Sequence, residues 1–160
     1  MKIVTALLHH PDFVAAVDTI ERNEVSRRFC RHGLTHLLDV ARITWILCLE
    51  NQRSFDKEVV YLAALLHDLG RCRDNANHDA VSVTLAAQLL PACGASEECC
   101  RLVTEAISMH RQKNAAIDLS SASLGELLAY ADKQSRACFR CAAAEDCYWD
   151  AQLKNNTVLY

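Results

Sequence analysis

A histidine and an aspartate stand side by side where an apolar run ends. Residues 61–66 read YLAALL, and His67 and Asp68 follow directly, just before Gly70. The run has the composition of a helix that is buried on all sides. A buried carboxylate is costly unless a hydrogen-bond donor or a charge meets it. The doublet therefore predicts a polar or charged partner at the inner end of this helix.

Several other polar side chains fall on helix faces that point into a core. With the doublet, they are His36, His67, Asp68, His78, His110 and Asp132. Any one of these residues alone is best explained as an ordinary core or capping residue. The whole set is harder to explain in that way, because each buried polar group needs its own partner. One divalent cation satisfies several of them, since it binds imidazole nitrogens and carboxylate oxygens at about 2.0–2.2 Å. A set without thiolate suits Mn, Fe, Co, Ni or Zn.

The elements that must position these residues are helical. Hydrophobic residues make up 51 % of the chain, while Gly (4) and Pro (2) are few, which favours an all-α protein with one core. Periodicity and capping residues predict about six helices and no strand. The helices cover approximately residues 11–21, 34–50, 57–69, 78–91, 96–110 and 123–132.

Charge, hydropathy and cysteine content exclude several classes of protein. The formal net charge of -3 gives no basic face for nucleic acid. No apolar run reaches the ~20 residues that a transmembrane helix needs, and the run at residues 3–8 is too short for a secretory signal. We therefore expect a cytoplasmic protein. Nine cysteines, an odd number, are not expected to form a disulfide framework there.

Three stretches of the chain resemble the HD-domain phosphohydrolase superfamily. They read RHGLTHLLDVARI at 31–43, LAALLHDLGR at 62–71 and LLAYADKQSR at 127–136. The signature of the superfamily is a histidine, a His-Asp doublet and a distant aspartate. In this chain the signature maps onto His36, His67, Asp68 and Asp132.

The resemblance implies a helical bundle in which those four side chains hold a divalent metal. It covers approximately residues 28–140, which we take as the core of a single domain. That domain spans residues 1–160 and ends in a cysteine-containing segment at 138–160.

Some branches of the superfamily carry two further histidines and a binuclear centre. Their pattern resembles NHDAVSVTLAAQLL and EAISMHR here, which places the extra pair at His78 and His110. Either these histidines bind a second metal ion, or they line the pocket and hydrogen-bond the substrate phosphate. Motif spacing leaves both interpretations open. Diadenosine-tetraphosphate hydrolases of the superfamily are similar in this respect, but the short loop after Asp68 and the C-terminal cysteines differ.

A metal centre of this kind favours hydrolysis of a phosphate ester or phosphoanhydride, because the cation polarises phosphoryl oxygens and activates a water. The residues predicted to take part in catalysis are Asp68, Arg71, His78 and His110. Asp68 orients the attacking water, and Arg71 neutralises charge on the phosphate from the helix end. Weaker candidates for a phosphate contact are Arg73, Arg111, Lys113 and Lys133.

The C-terminal segment carries a C-x2-C-x5-C pattern at Cys138, Cys141 and Cys147. The C-x2-C part is common in metal knuckles, and a structural zinc or iron–sulfur site needs a fourth ligand. Cys30 and Cys138 lie six residues before the first and six after the last predicted ligand. On antiparallel helices both would be displaced by about 9 Å in the same direction. Thiols without metal are the simpler interpretation, and it stays open.

The sequence thus predicts a metal-dependent phosphohydrolase with one or two ions and a small phosphorylated substrate, a nucleotide or dinucleotide. One alternative is a regulatory module that binds metal and nucleotide without hydrolysis. Another is a redox or metal sensor that uses residues 138–147. Exposed-looking apolar residues late in the chain leave a homodimer open.

Overall fold

The computed structural model describes residues 1–110 and 117–160, which form seven α-helices and no strand. The helices are α1 (Lys2–Leu8), α2 (Pro11–Asn23), α3 (Leu34–Glu50), α4 (Lys57–Leu66), α5 (His78–Ala92), α6 (Glu97–Met109) and α7 (Leu124–Gln134). This confirms the predicted all-α class. None of these helices has the length and apolarity that crossing a lipid bilayer requires.

The first helix, α1, was absent from the prediction. Its first backbone N–H groups are satisfied from elsewhere in the chain: the Glu58 carboxylate accepts from Ile3 N at 2.7 Å and Val4 N at 3.1 Å. Free N–H groups at a helix start need such acceptors. The acceptor lies 55 residues away from Ile3, so no local capping signal announces this helix.

Local signals do define the starts of other helices. Ser123 and Glu126 form the predicted capping box at α7, and the Ser96 side chain accepts from Cys99 N at the start of α6. Asp56 caps α4 through Glu58 N at 2.7 Å. A side-chain oxygen at this position replaces the missing intrahelical acceptor.

Helix α4 ends at Leu66, three residues before the predicted end. The chain then tightens into a 3-10 turn at Leu69–Cys72. This turn packs against the first turns of α5, where Gly70 N donates to Ser82 Oγ at 2.8 Å. A Cβ on Gly70 would lie only 2.1 Å from the His78 carbonyl oxygen. Only glycine allows this close approach, which brings the doublet next to the start of α5.

Helix α4 is the centre of the bundle, in contact with α1, α3, α5, α6 and α7. Its Leu62, Leu65 and Leu66 are fully buried, and each such side chain contributes about 1.5–3 kcal/mol. Helices α3 and α7 pack antiparallel: Ser135 lies near His36 at one end, and Arg53 reaches the Ser120 carbonyl at the other.

The C-terminal segment, residues 135–160, differs from the bundle. It contains only two short 3-10 turns, Cys138–Arg140 and Ala151–Leu153. Ala143 is its one buried residue. Cys30 and Cys138 lie outside α3 and α7, so the predicted helical displacement of about 9 Å is wrong for them.

Candidate metal centre

Three histidines of the predicted set are anchored in the same way. His67, His78 and His110 each place Nδ1 between 2.6 and 2.9 Å from the backbone carbonyl oxygen three residues earlier. A carbonyl only accepts, so we assign the proton to Nδ1 in each ring. Nε2 then carries a lone pair. This is the tautomer that a metal ligand needs, oriented by a backbone carbonyl.

The Nε2 atoms converge on carboxylates in two sets. In the first set, His36 Nε2 and His67 Nε2 lie 3.3 and 4.0 Å from Asp132 Oδ1. In the second set, His78 Nε2 and His110 Nε2 lie 3.0 and 3.8 Å from Asp68 Oδ1. The ligand atoms within each set are all within 4.8 Å of one another.

Asp68 links the two sets. Its Oδ2 lies 3.8 Å from His36 Nε2 and 3.7 Å from His67 Nε2, while Oδ1 faces His78 and His110. The side chain is 3 % exposed. One buried carboxylate therefore presents one oxygen to each set, as a ligand that bridges two cations would.

The residues present fit a divalent cation. Ligand atoms at about 2.1 Å from one ion are separated by roughly 3.0–3.4 Å. The nitrogen–oxygen distances within the two sets, from 3.0 to 4.0 Å, lie at or just above that range. The buried Nε2 atoms of His36, His67 and His110 have no hydrogen-bond partner in the described residues. Unpartnered buried polar atoms are rare and need an explanation, and a cation supplies one for all three.

The electrostatics keep the donors in their binding forms. Burial lowers the pKa of His67. Burial, followed by the neighbouring His67 ring, lowers the pKa of His110 to about 4. Burial raises the pKa of Asp68, but the neighbouring His67, His78 and Arg71 together outweigh burial and hold that pKa well below its usual range. Burial raises the pKa of Asp132, but the nearby His36 and His67 rings together outweigh burial and lower that pKa to about 2. Neutral imidazoles and ionised carboxylates are the forms that bind metal.

Arg71 lies at this centre, as expected from its position. Its Nε donates to Asp68 Oδ2 at 2.7 Å, and its Nη2 lies 3.3 Å from His78 Nε2. The side chain is 15 % exposed. A guanidinium held beside both carboxylate and imidazole can meet an anionic group that enters the site.

The structure describes two of the four weaker cationic candidates, Arg73 and Lys133. Arg73 is exposed and lines a separate surface cavity with His10 and Asp12. Lys133 lies in the last turn of α7. The two remaining candidates, Arg111 and Lys113, lie outside the described residues.

A second buried pair adjoins the centre. Glu24 accepts from His32 Nδ1 at 2.8 Å and from the His32 backbone N–H at 2.6 Å. His32 Nε2 consequently points at Asp68 Oδ2 from 3.9 Å. The spacing of four residues between His32 and His36 predicts a shared helix face, but His32 lies before α3, which begins at Leu34. Glu24 gave no sequence signal, because it reaches His32 from the end of α2.

The centre opens at Asp132, whose side chain is 35 % exposed. A cavity of about 440 Å³ lies beside His36, with His36 and Ser135 in its wall. The three cysteines of the C-terminal pattern, Cys138, Cys141 and Cys147, also line this cavity, together with the fourth candidate, Cys30. The fold thus brings two separate predictions, the His/Asp set and the cysteine set, to neighbouring positions.

Comparison with known proteins identifies the family to which this chain belongs. The family model described as the HD domain matches residues 33–143, a range that includes every His and Asp ligand above. The chain therefore belongs to the HD-domain family, whose members are generally metal-dependent hydrolases. An uncharacterized protein of Clostridium beijerinckii is 31 % identical over 157 residues, covering 96 % of either chain. No solved structure matches.

Proposed function

We propose that the protein hydrolyses a phosphate ester or phosphoanhydride of a small phosphorylated substrate, a nucleotide or dinucleotide. The centre would hold two divalent ions from the group Mn, Fe, Co, Ni and Zn, one at each set of His and Asp side chains, with Asp68 facing both sets. The observation that carries the proposal is the position of the two Asp68 oxygens, one facing each set of histidines. This arrangement favours His78 and His110 as ligands of a second ion.

The bound ions supply Lewis-acid polarisation of the phosphoryl group and a water of lowered pKa. The protein's own residues provide the rest. The backbone carbonyls behind His67, His78 and His110 fix the direction of each Nε2. Arg71 is held by Asp68 and meets the negative charge on the phosphate. Burial of Asp68 excludes bulk water from the inner side of the centre.

The substrate is inferred from the cavity beside His36. At about 440 Å³ it is of the size that small-molecule sites have. Its walls combine cationic side chains, Arg27 and Arg31, with the aromatic ring of Trp149. Cations suit phosphates, and an aromatic face suits a nucleobase. These features support a nucleotide in preference to a small inorganic anion.

The test is phosphate release from a panel of nucleotides and dinucleotides, with each candidate metal added in turn. We expect turnover with at least one metal and its loss in Asp68→Asn. The exposed Asp18 provides a matched control, and Asp18→Asn should keep full activity. No turnover from protein that elemental analysis shows to be metal-loaded would contradict the proposal. Nucleotide binding by that inactive protein would support the regulatory module instead.

A further inference from the structure

Four of the nine cysteines line one cavity, and they are the four that the sequence pattern singles out. Cys138, Cys141 and Cys147 follow α7, while Cys30 comes from the loop between α2 and α3. Cys30 and Cys138 are 108 residues apart in the chain. The other five cysteines are absent from this cavity. Three of the four are half-buried and Cys141 is exposed, so burial of apolar thiols does not account for their shared position.

The contacts around these cysteines hold the two irregular segments together. Arg28 pairs with Asp146, and the Phe29 and Tyr148 rings meet edge to face at 6.0 Å. These partners flank Cys30 on one segment and Cys147 on the other. These two contacts hold the backbone around Cys30 beside the backbone around Cys147.

The C-terminal segment has no core that would order it. Residues 135–160 bury only Ala143. The large apolar side chains at Phe139, Tyr148, Leu153 and Val158 stay at least 45 % exposed. Short segments that cannot bury apolar area generally depend on a metal or a covalent link for stability. A shared metal would supply the free energy that packing does not provide here.

We propose that Cys30, Cys138, Cys141 and Cys147 bind a thiophilic metal centre, a zinc ion or an iron–sulfur cluster, separate from the His/Asp centre. Four thiolates are the donor set that both choose. The site joins the C-terminal segment to the loop before α3. It thereby fixes the wall of the cavity that opens beside His36. It does not depend on the proposed hydrolysis.

Charge in the cavity is suited to four thiolates. Such a site with Zn²⁺ carries a net charge of about -2, and cations from the same segment, Arg136 and Lys154, line the cavity. Among the described residues, the two His/Asp sets are the groups whose ligand atoms all lie within 4.8 Å of one another. The four cysteine sulfurs are therefore more widely spaced than in a closed metal site. Cys141 is exposed on irregular backbone, and closing the site requires the C-terminal segment to move together with its side chains.

The test is the metal content of the full-length protein, purified without added chelator and both with and without oxygen. We expect thiol-bound metal in addition to the His/Asp ions: zinc that a mercurial reagent releases, or iron with sulfide and absorbance near 400 nm. Cys141→Ser should lose this metal and keep the His/Asp ions. Cys93, half-buried outside the cavity, is the matched control, and Cys93→Ser should retain it. Equal metal content in wild type, Cys141→Ser and Cys93→Ser would overturn the proposal.

A second measurement does not depend on any variant folding. In native protein that contains the thiol-bound metal, Cys141 should react with an alkylating reagent far more slowly than an exposed thiol does, because its sulfur is coordinated. Stripping the metal should restore the rate by at least about tenfold, since the thiolate is the nucleophile. Rapid alkylation of Cys141 in metal-loaded protein would equally overturn the proposal.

Discussion

The His/Asp centre and the cysteine-lined C-terminal segment obtain their geometry from different sources. The ligands of the first centre lie on or beside helices packed around α4, where Leu62 and Leu66 are fully buried. Backbone carbonyls then fix the histidine rings. The cysteine segment has irregular backbone, one buried residue and polar contacts to its neighbours.

The scaffold of a protein can preorganise a site, or the site can help to organise the scaffold. In the helical core, packing holds the donors in place whether or not an ion is bound. In the C-terminal segment, few contacts oppose the conformational entropy of the chain. Loss of ligands should therefore affect function most at the first centre and order most at the second.

The largest effect is expected at Asp68, the ligand common to both sets. Asp68→Asn should lower metal affinity by more than about 100-fold, since changes to partners behind a metal ligand alone cost about 10–100-fold. The bundle should remain helical, because Asp68 follows α4 and is not part of it. Metal titration with circular dichroism measures both effects. Unchanged metal affinity would remove the basis for the shared centre.

The next effect is expected at Gly70, which allows the close approach to α5. In Gly70→Ala the new Cβ would meet the His78 carbonyl oxygen at 2.1 Å, and backbone cannot yield easily. We expect a loss of about 3 kcal/mol or more in the free energy of unfolding, together with weaker binding at the set that contains His78. Urea unfolding and metal titration provide the measurements.

Gly33→Ala is the matched control for that substitution. A Cβ there meets the end of the Glu21 side chain at 2.6 Å, and a flexible side chain can move aside. Its loss of unfolding free energy should be clearly smaller. Equal losses in the two variants would show that the Gly70 contact has no special role in positioning α5.

Acidification should destabilise the chelator-treated protein. Burial, followed by the charge on His67, lowers the folded pKa of His110 to about 4 from the ordinary 6.5, so between these values the unfolded chain binds more protons. Stability present at pH 7 is then lost as the pH falls from 6.5 towards 4. For His110 alone the loss between pH 7 and pH 5 is about 2 kcal/mol. Urea unfolding at several pH values measures it, and His110→Gln should flatten the curve.

The smallest effect is expected at Asn155, which ties the C-terminal segment to the end of α7. Its Nδ2 donates to the carbonyl oxygens of Lys133, Gln134 and Arg136 at 2.8–3.1 Å. Asn155→Ala should cost about 1–2 kcal/mol, confined to that segment. Hydrogen exchange should rise in residues 137–160 and stay unchanged in α4. An equal rise in α4 would show that the segment and the core unfold as one unit.

Much of the fold could be predicted because its signals are local. The capping box at Ser123, the cap at Ser96 and the spacing of apolar residues mark helices that the structure contains. The end of α4 and the existence of α1 could not be predicted. Both depend on partners that are distant in the chain, the α5 backbone near Gly70 and the carboxylate of Glu58.

The sequence by itself determined the helical class, because helical periodicity is a property of neighbouring residues. It also named the six His and Asp residues of the centre, because the HD pattern gives their types and their order along the chain. Only the tertiary structure decided how these residues divide between the two oxygens of Asp68, that Glu24 orients His32, and that Cys30 joins the C-terminal cysteines in one cavity. Such pairings join atoms separated by up to a hundred residues or more, and their distances depend on how whole helices pack.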